Sequence, residues 1–344
     1  MSQNRPTDLV TGAFSYSGAQ IAERLLGTGR GMRTLTNHPD RPHPLQAEIE
    51  AHPYRFDDPA ALARSLEGVS TLYNTFWVRF DQGNTTFTNA IECSRMLFFA
   101  ARRAGVERIV HLSITNPSLE SRLPYFRGKA LVEYALAQSG VPYSIVRPTW
   151  IFGGERDVLA NNIAWILRRM PAFALPGDGA YPVQPVHVDD LARICTDAGS
   201  ATGDILIDAA GPETMPFRDL VALVRTAVGA SSPILHIPPP VMAAAARVLG
   251  LLVGDVVLTG DEIRGLMAGL LTSREPPLGQ IAFSQWLNEH ATSVGSSYAN
   301  ELQRHFSRPQ TPDDVHATSQ GLMRAIRGVA ERSFLIMPSL RQTR

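Results

Sequence analysis

The chain is short of cysteine, of net charge and of long apolar runs, and each shortage closes off a class of function. Its two cysteines, Cys93 and Cys195, lie far apart among 344 residues. They build no disulfide framework and no CxxC pair for zinc or redox work, so a reducing, cytoplasmic setting and no metal are expected. Lys+Arg and Asp+Glu each number 32, for a formal net charge of +0. Such a balance sets up no field to draw nucleic acid or an anionic membrane surface. The basic residues that do gather, Arg102, Arg103 and Arg108, read as one solvated helix end. The most apolar stretch, residues 241–258, is interrupted by Arg247, Gly250, Gly254 and Asp255. It falls short of the roughly 20 apolar residues of a membrane span, so a buried or surface helix is expected instead. The opening MSQNRPTDLVTG carries no apolar signal core. What is present is 44% hydrophobic residues, enough for one large α/β domain with a smaller lobe.

Short apolar runs at 8–10, 32–36, 54–56, 71–73, 108–112 and 143–147 read as strands. Longer helical patterns at 19–26, 86–104 and 125–139 fall between them, with Gly105 and Gly140 as stops. This alternation predicts a Rossmann-type, doubly wound parallel sheet over residues 1–150. Residues 178–208 are expected to return a strand and helix to it, 151–306 to form a substrate lobe, and 307–344 a linker and tail with a helix near 322–334. Residues 234–240 read as an edge strand entering a proline-rich turn.

The first strand runs into TGAFSYSG and then a helix. A turn that wraps a pyrophosphate needs little bulk where the backbone reverses and approaches the ligand, and the helix start offers free N–H groups. Gly12, Ala13, Phe14, Ser15, Tyr16 and Gly18 are therefore the candidate dinucleotide loop. The second strand ends in TLTNHPDR, without the acidic residue that would grip a ribose 2′-hydroxyl. Asn37, His38 and Arg41, with Arg33 upstream, make a neutral-to-basic rim suited to a 2′-phosphate, so NADP(H) is preferred and NAD(H) is the alternative. Asp57 is placed to accept from an adenine amino group, or is an ordinary loop carboxylate.

After the fifth strand, Tyr125 and Lys129 stand one helical turn apart and share a face. A nearby ammonium favours the phenolate, and a phenol so tuned exchanges a proton with a substrate oxygen while nicotinamide exchanges the hydride. A buried aromatic beside a surface lysine is the alternative. His187, Asp189 and Asp190 read as a helix cap rather than a metal site. His111 reads as a satisfied core histidine, and Trp150, Phe152, Trp165 and Phe173 as either pocket wall or core.

TGAFSYSG, the YFRGK helix, VRPTWIFGG and QPVHVDDLA together resemble the extended or atypical short-chain dehydrogenases/reductases, in the flavour of the NmrA-like group that includes the complex I nucleotide-binding accessory subunit. The resemblance covers residues 8–290. It implies that Gly12, Ser15 and Gly18 match the pyrophosphate loop, with serine in place of the family's middle glycine. Tyr125 and Lys129 match the family's tyrosine and lysine, Asn74 and Thr75 meet the cofactor, and Pro148 passes the nicotinamide. Ser113 or Thr115 would polarise the substrate oxygen, although the best-aligned position is Ile114. The expected function is NAD(P)H-dependent oxidoreduction of a small carbonyl or alcohol. A non-catalytic NADP(H) sensor, regulator or assembly factor and a nucleotide-sugar epimerase/dehydratase are the alternatives. The expected partners are the dinucleotide and a small-molecule substrate, with homodimerisation compatible.

Overall fold

Buried strands follow the apolar runs, and glycines and short polar side chains set the helix ends between them. The computed structural model describes residues 6–154 and 157–306. Its first half comprises β1 (Thr7–Thr11), α1 (Tyr16–Leu26), β2 (Gly31–Thr36), β3 (Glu50–Pro53), α2 (Pro59–Ser65), β4 (Val69–Asn74), α3 (Phe87–Ala104), β5 (Arg108–Leu112), α4 (Pro124–Ala137) and β6 (Tyr143–Pro148). There follow β7 (Trp150–Phe152), α5 (Leu159–Arg169), β8 (Phe173–Pro176), β9 (Pro182–Val183), β10 (Pro185–His187), α6 (Val188–Gly199) and β11 (Ile205–Ala209). The chain continues through β12 (Met215–Pro216), α7 (Phe217–Ala227), β13 (Ile234–Ile237), α8 (Pro239–Val253), α9 (Gly260–Met267), α10 (Phe283–His290) and α11 (Glu301–Phe306).

Seven strands form one sheet in the order β11-β6-β5-β4-β1-β2-β3, and all its pairings are parallel. Strand order reverses between β1 and β4, so the crevice above their carboxyl ends is the switch point where such sheets take ligands. Side chains alternate across the sheet. Val10, Val110 and Val146 pack with Ile21 and Leu25 of α1 and Leu191 and Cys195 of α6. Leu9, Ile109 and Ile145 pack with Leu62, Leu97, Phe98 and Leu136 from α2, α3 and α4 on the other face. Burial on both sides explains why these strands read as continuous apolar runs. Thr86 caps α3 by accepting from the Asn89 N–H at 3.1 Å. Gly105, at φ +77°, ends α3 in the left-handed region that glycine tolerates.

Two expectations, the third strand and the proline-rich turn, are corrected. The third strand lies at Glu50–Pro53, and Tyr54 and Phe56 stand in the loop beyond it. The edge strand is polar and short, so the apolar signal came from the loop. The proline run opens α8, with Pro239 at its first position, where the missing N–H costs nothing. Trp150, Phe152 and Phe173 fill the core of the second lobe with Phe217, Phe283 and Trp286, and Trp165 packs edgewise on Tyr298 at 5.2 Å. His187 caps α6, accepting from the Asp189 N–H at 3.2 Å. Among the described residues no helix is long and apolar enough to cross a membrane. The predicted linker and terminal helix of 307–344 lie outside the described residues.

Candidate functional site

The loop after β1 is held by the sheet itself. The Gly12 N–H donates to the Leu35 carbonyl at 2.8 Å, and the Ala13 N–H to Thr34 Oγ1 at 3.0 Å. Gly12 sits at φ +65°, and a Cβ on Gly18 would lie 2.2 Å from the Gly12 carbonyl oxygen. Both positions therefore require glycine, one for its backbone angle and one for close approach of helix to strand. Ser15 is different. It precedes α1 at φ −100° and ψ −177°, an extended conformation open to any residue, and its Oγ donates to the Gly12 carbonyl at 2.6 Å. Serine therefore replaces the middle glycine without backbone strain. This pair of glycines at a strand–helix turn fits a dinucleotide pyrophosphate.

The turn opens onto a cavity of about 700 Å³ above the carboxyl ends of β1 to β4. Of the predicted cofactor residues, Gly12, Phe14, Ser15, Asn37, Arg41 and Thr75 line it, as do His38 and Tyr125. Ala13, Gly18 and Asn74 lie behind the wall as its support. Thr75 Oγ1 donates to the Thr11 carbonyl at 2.5 Å. Asn74 Oδ1 accepts from Thr11 Oγ1 at 3.2 Å, while its amide meets His111 Nδ1 at 3.1 Å. Tyr16 is turned away, its hydroxyl donating to the Gly153 carbonyl at 2.7 Å. Asp57 is exposed in the loop beyond β3 and does not line the cavity, because the strand ends earlier than its sequence suggests. Arg33 is likewise absent from the rim, bound to Glu50 and to the Ser65 and Glu67 carbonyls. Pro148 is buried at the end of β6, its carbonyl accepting from the Thr115 N–H at 3.0 Å.

Tyr125 reaches the cavity from the first turn of α4, edge-on to Trp77 and Phe87, each at 6.0 Å. Burial pushes its phenol up, the Glu262 carboxylate adds to this, and Arg79 opposes it. That is the reverse of the lowering expected from a neighbouring ammonium. Lys129 instead donates to the Leu112 carbonyl at 2.8 Å, with its Nζ 4.8 Å from the centre of the Trp77 ring. Burial pulls this amine down to about 7, partly offset by Glu133. The Ser113 hydroxyl is engaged by Glu133, which also forms a two-point pair with Arg147 at 2.9 and 2.6 Å. Thr115 donates to the Leu270 carbonyl at 3.1 Å. Neither hydroxyl lines the cavity. His111 is half-satisfied, since its Nε2 has no partner. Burial and the Lys129 charge hold its ring well below the usual histidine range, hence neutral.

Sequence reasoning missed the aromatic wall. Tyr54 stacks on Phe56 at 5.0 Å, and Phe76 meets them at 5.3 and 5.6 Å. Trp77, Val78, Arg79 and Phe80 extend the lining from the loop after β4. The available signal was large aromatics in loops directly after strands, where Tyr54, Phe56 and Trp77 pack against the edge of the sheet's core. From the C-terminal side α11 brings Glu301 and Arg304 to the cavity, and Arg41 Nη2 donates to the Arg304 carbonyl at 2.6 Å. Arg79 is clasped by Glu262 of α9 at 2.6 Å.

A family model described as the NAD dependent epimerase/dehydratase family matches residues 9–203. The chain is 26% identical over 245 residues, 70% of its own length and 78% of the other's, to the photosystem II assembly factor Ycf39 of Cyanidium caldarium. It is 28% identical over 312 residues, 88% and 94% of the two chains, to a (4-alkanoyl-5-oxo-2,5-dihydrofuran-3-yl)methyl phosphate reductase of Streptomyces griseus. In fold it is similar to the Citrobacter sp. triphenylmethane reductase complexed with NADP(H), at TM-score 0.65 and 17% identity, covering 83% and 99% of the two chains.

Proposed function

The chain belongs to the NAD dependent epimerase/dehydratase family, and from that premise we propose that it is an oxidoreductase, preferring NADP(H), that transfers hydride to or from a carbonyl or alcohol of a small organic substrate. One observation carries this reading. A glycine-dependent strand–helix turn and the Tyr125 phenol border the same cavity of about 700 Å³. The cofactor, when bound, supplies or accepts the hydride at its nicotinamide ring. The protein's own residues do the rest. Gly12 and Gly18 let the backbone approach the phosphates, and Asn37, His38 and Arg41 form a neutral-to-basic rim suited to a 2′-phosphate. Tyr54, Phe56 and Phe76 offer flat apolar faces to an aromatic base. Tyr125, protonated because burial raises its phenol, gives its proton to the substrate oxygen during reduction, and Lys129 positions α4 through its hydrogen bond to the Leu112 carbonyl. Ser113 and Thr115, whose hydroxyls serve Glu133 and the Leu270 carbonyl, are assigned to support rather than to substrate contact. Trp77, Val78 and Phe80 favour a substrate of mixed or apolar character, in keeping with the reductase among the relatives.

A second reading, dinucleotide binding without turnover, is favoured by the engagement of Ser113 and Lys129 with protein partners. Calorimetric titration with NADPH and NADH tests the common premise, and NADPH is expected to bind more tightly. A panel of carbonyl substrates then separates the two. Reduction that falls by about 100-fold or more in Tyr125→Phe supports the enzyme. Tight NADPH binding with no turnover supports the second reading.

A further inference from the structure

Lys129 is the only lysine in the chain; the other 31 of its 32 Lys and Arg residues are arginine. Arginine is held charged in proteins, whereas a buried lysine sheds its proton readily. The one position where this chain uses the titratable cation is thus deep in α4, next to the candidate site. Between Lys129 and the cavity stands Trp77. The Lys129 Nζ lies 4.8 Å from its ring centre, and Phe87 stacks near it at 5.9 Å and 28°. A Cβ on Gly128 would lie 2.9 Å from the Trp77 Cη2, so α4 is pared to backbone where the indole rests. The ring nevertheless lines the cavity, and its buried Nε1 finds no hydrogen-bond partner. It hangs from the irregular connection between β4 and α3, not from a helix or strand. The indole is packed, but no hydrogen bond fastens it.

We propose that Trp77 is a movable wall in front of Lys129, displaced when the nicotinamide-bearing half of the dinucleotide enters, and so the residue that sets how much affinity this half adds to the adenosine half. The inference rests on the dinucleotide reading above. An adenosine fragment uses the turn, the rim and the Tyr54–Phe56–Phe76 wall without meeting the indole. The full dinucleotide must move it.

The single lysine makes the test specific in the full chain, because acylation of a lysine side chain, read by peptide mass, reports Lys129 alone. In the unliganded protein Lys129 should react slowly, and in Trp77→Ala about 10-fold or more faster. NADPH should restore protection to that variant, and adenosine 2′,5′-bisphosphate should not. Trp77→Ala should also bind NADPH about 10-fold more tightly, because the open state no longer has to be selected, with adenosine 2′,5′-bisphosphate changed less than about 2-fold. Trp77→Phe, which keeps an aromatic ring in the pocket, should move each readout the same way by less, and it carries the test if the alanine variant does not fold. Unchanged Lys129 reactivity in the variants, or an equal effect on both ligands, overturns the proposal. Failure of the wild type to bind either nucleotide removes the functional reading itself and the proposal with it, a result distinct from binding with an unmoved wall.

Discussion

At Gly18 the missing side chain matters more than any that is present, because a Cβ would collide with the Gly12 carbonyl at 2.2 Å. Backbone, unlike a flexible side chain, yields little. Gly18→Ala should therefore cost about 1–3 kcal/mol of stability in urea unfolding and abolish measurable dinucleotide binding; retention of both would mean the turn is looser than it looks. Lys129 gives a second prediction. Its folded value of about 7 lies below the ordinary 10.5, so between these limits the unfolded chain binds a proton that the folded chain does not. Its burial penalty is full below about pH 7 and relaxes as pH rises, by up to about 1.4 kcal/mol per pH unit. Cys195, pushed up to about 12 by burial, works in the opposite direction near the top of this range. The readout is thus a comparison: from about pH 7.5 to 9, wild-type stability should rise more steeply than that of Lys129→Met. Parallel slopes would mean that the ammonium is not desolvated. At this scale the backbone demands at Gly12 and Gly18 were legible because each answers to a local rule. The partners of Ser113 and Lys129 were not, since Glu133 and Trp77 reach them only through the tertiary packing of α4.

Helix ends reward reading from sequence because their chemistry is local. The Gly105 stop of α3 falls where the pattern puts it, and Thr86, read as the first helical residue, is its cap. The third strand does not, because an edge strand as polar as Glu50–Pro53 carries no apolar period and its aromatic neighbours do. The anchoring of α11 has no local signal at all. Asp255, just past α8, accepts from the Glu301 and Leu302 N–H groups at 3.0 and 3.1 Å and from the Tyr298 hydroxyl at 3.0 Å. One carboxylate thus caps a short helix that a six-residue sequence could not sustain alone. Asp255→Ala should cost about 1–3 kcal/mol, and hydrogen exchange over residues 298–304 should quicken while the central sheet stays protected. Unchanged exchange there would show that α11 is held by other contacts.

The described part of the molecule is assembled around three apolar bodies, one on each face of the seven-stranded sheet and one in the second lobe. The parallel sheet was legible from the alternation of elements; the small strand pairs of the second lobe, separated by turn-rich connections, were not. The lobe also leaves apolar surface uncovered. On α8, Val248 is 59% and Leu251 86% exposed, since only Ala246, Gly250 and Val253 of this helix are buried. Replacing Val248 and Leu251 with arginine should shift stability by no more than about 0.5 kcal/mol. It should also lower binding of a hydrophobic dye, as removal of an exposed apolar patch requires; a large loss of stability would instead place these side chains in the core.

α11 carries Glu301 and Arg304 to the cavity, yet its own first N–H groups hang from Asp255. Part of the cavity's lining is thus held from outside the sheet, and local opening of α11 would widen the cavity while the sheet stays folded.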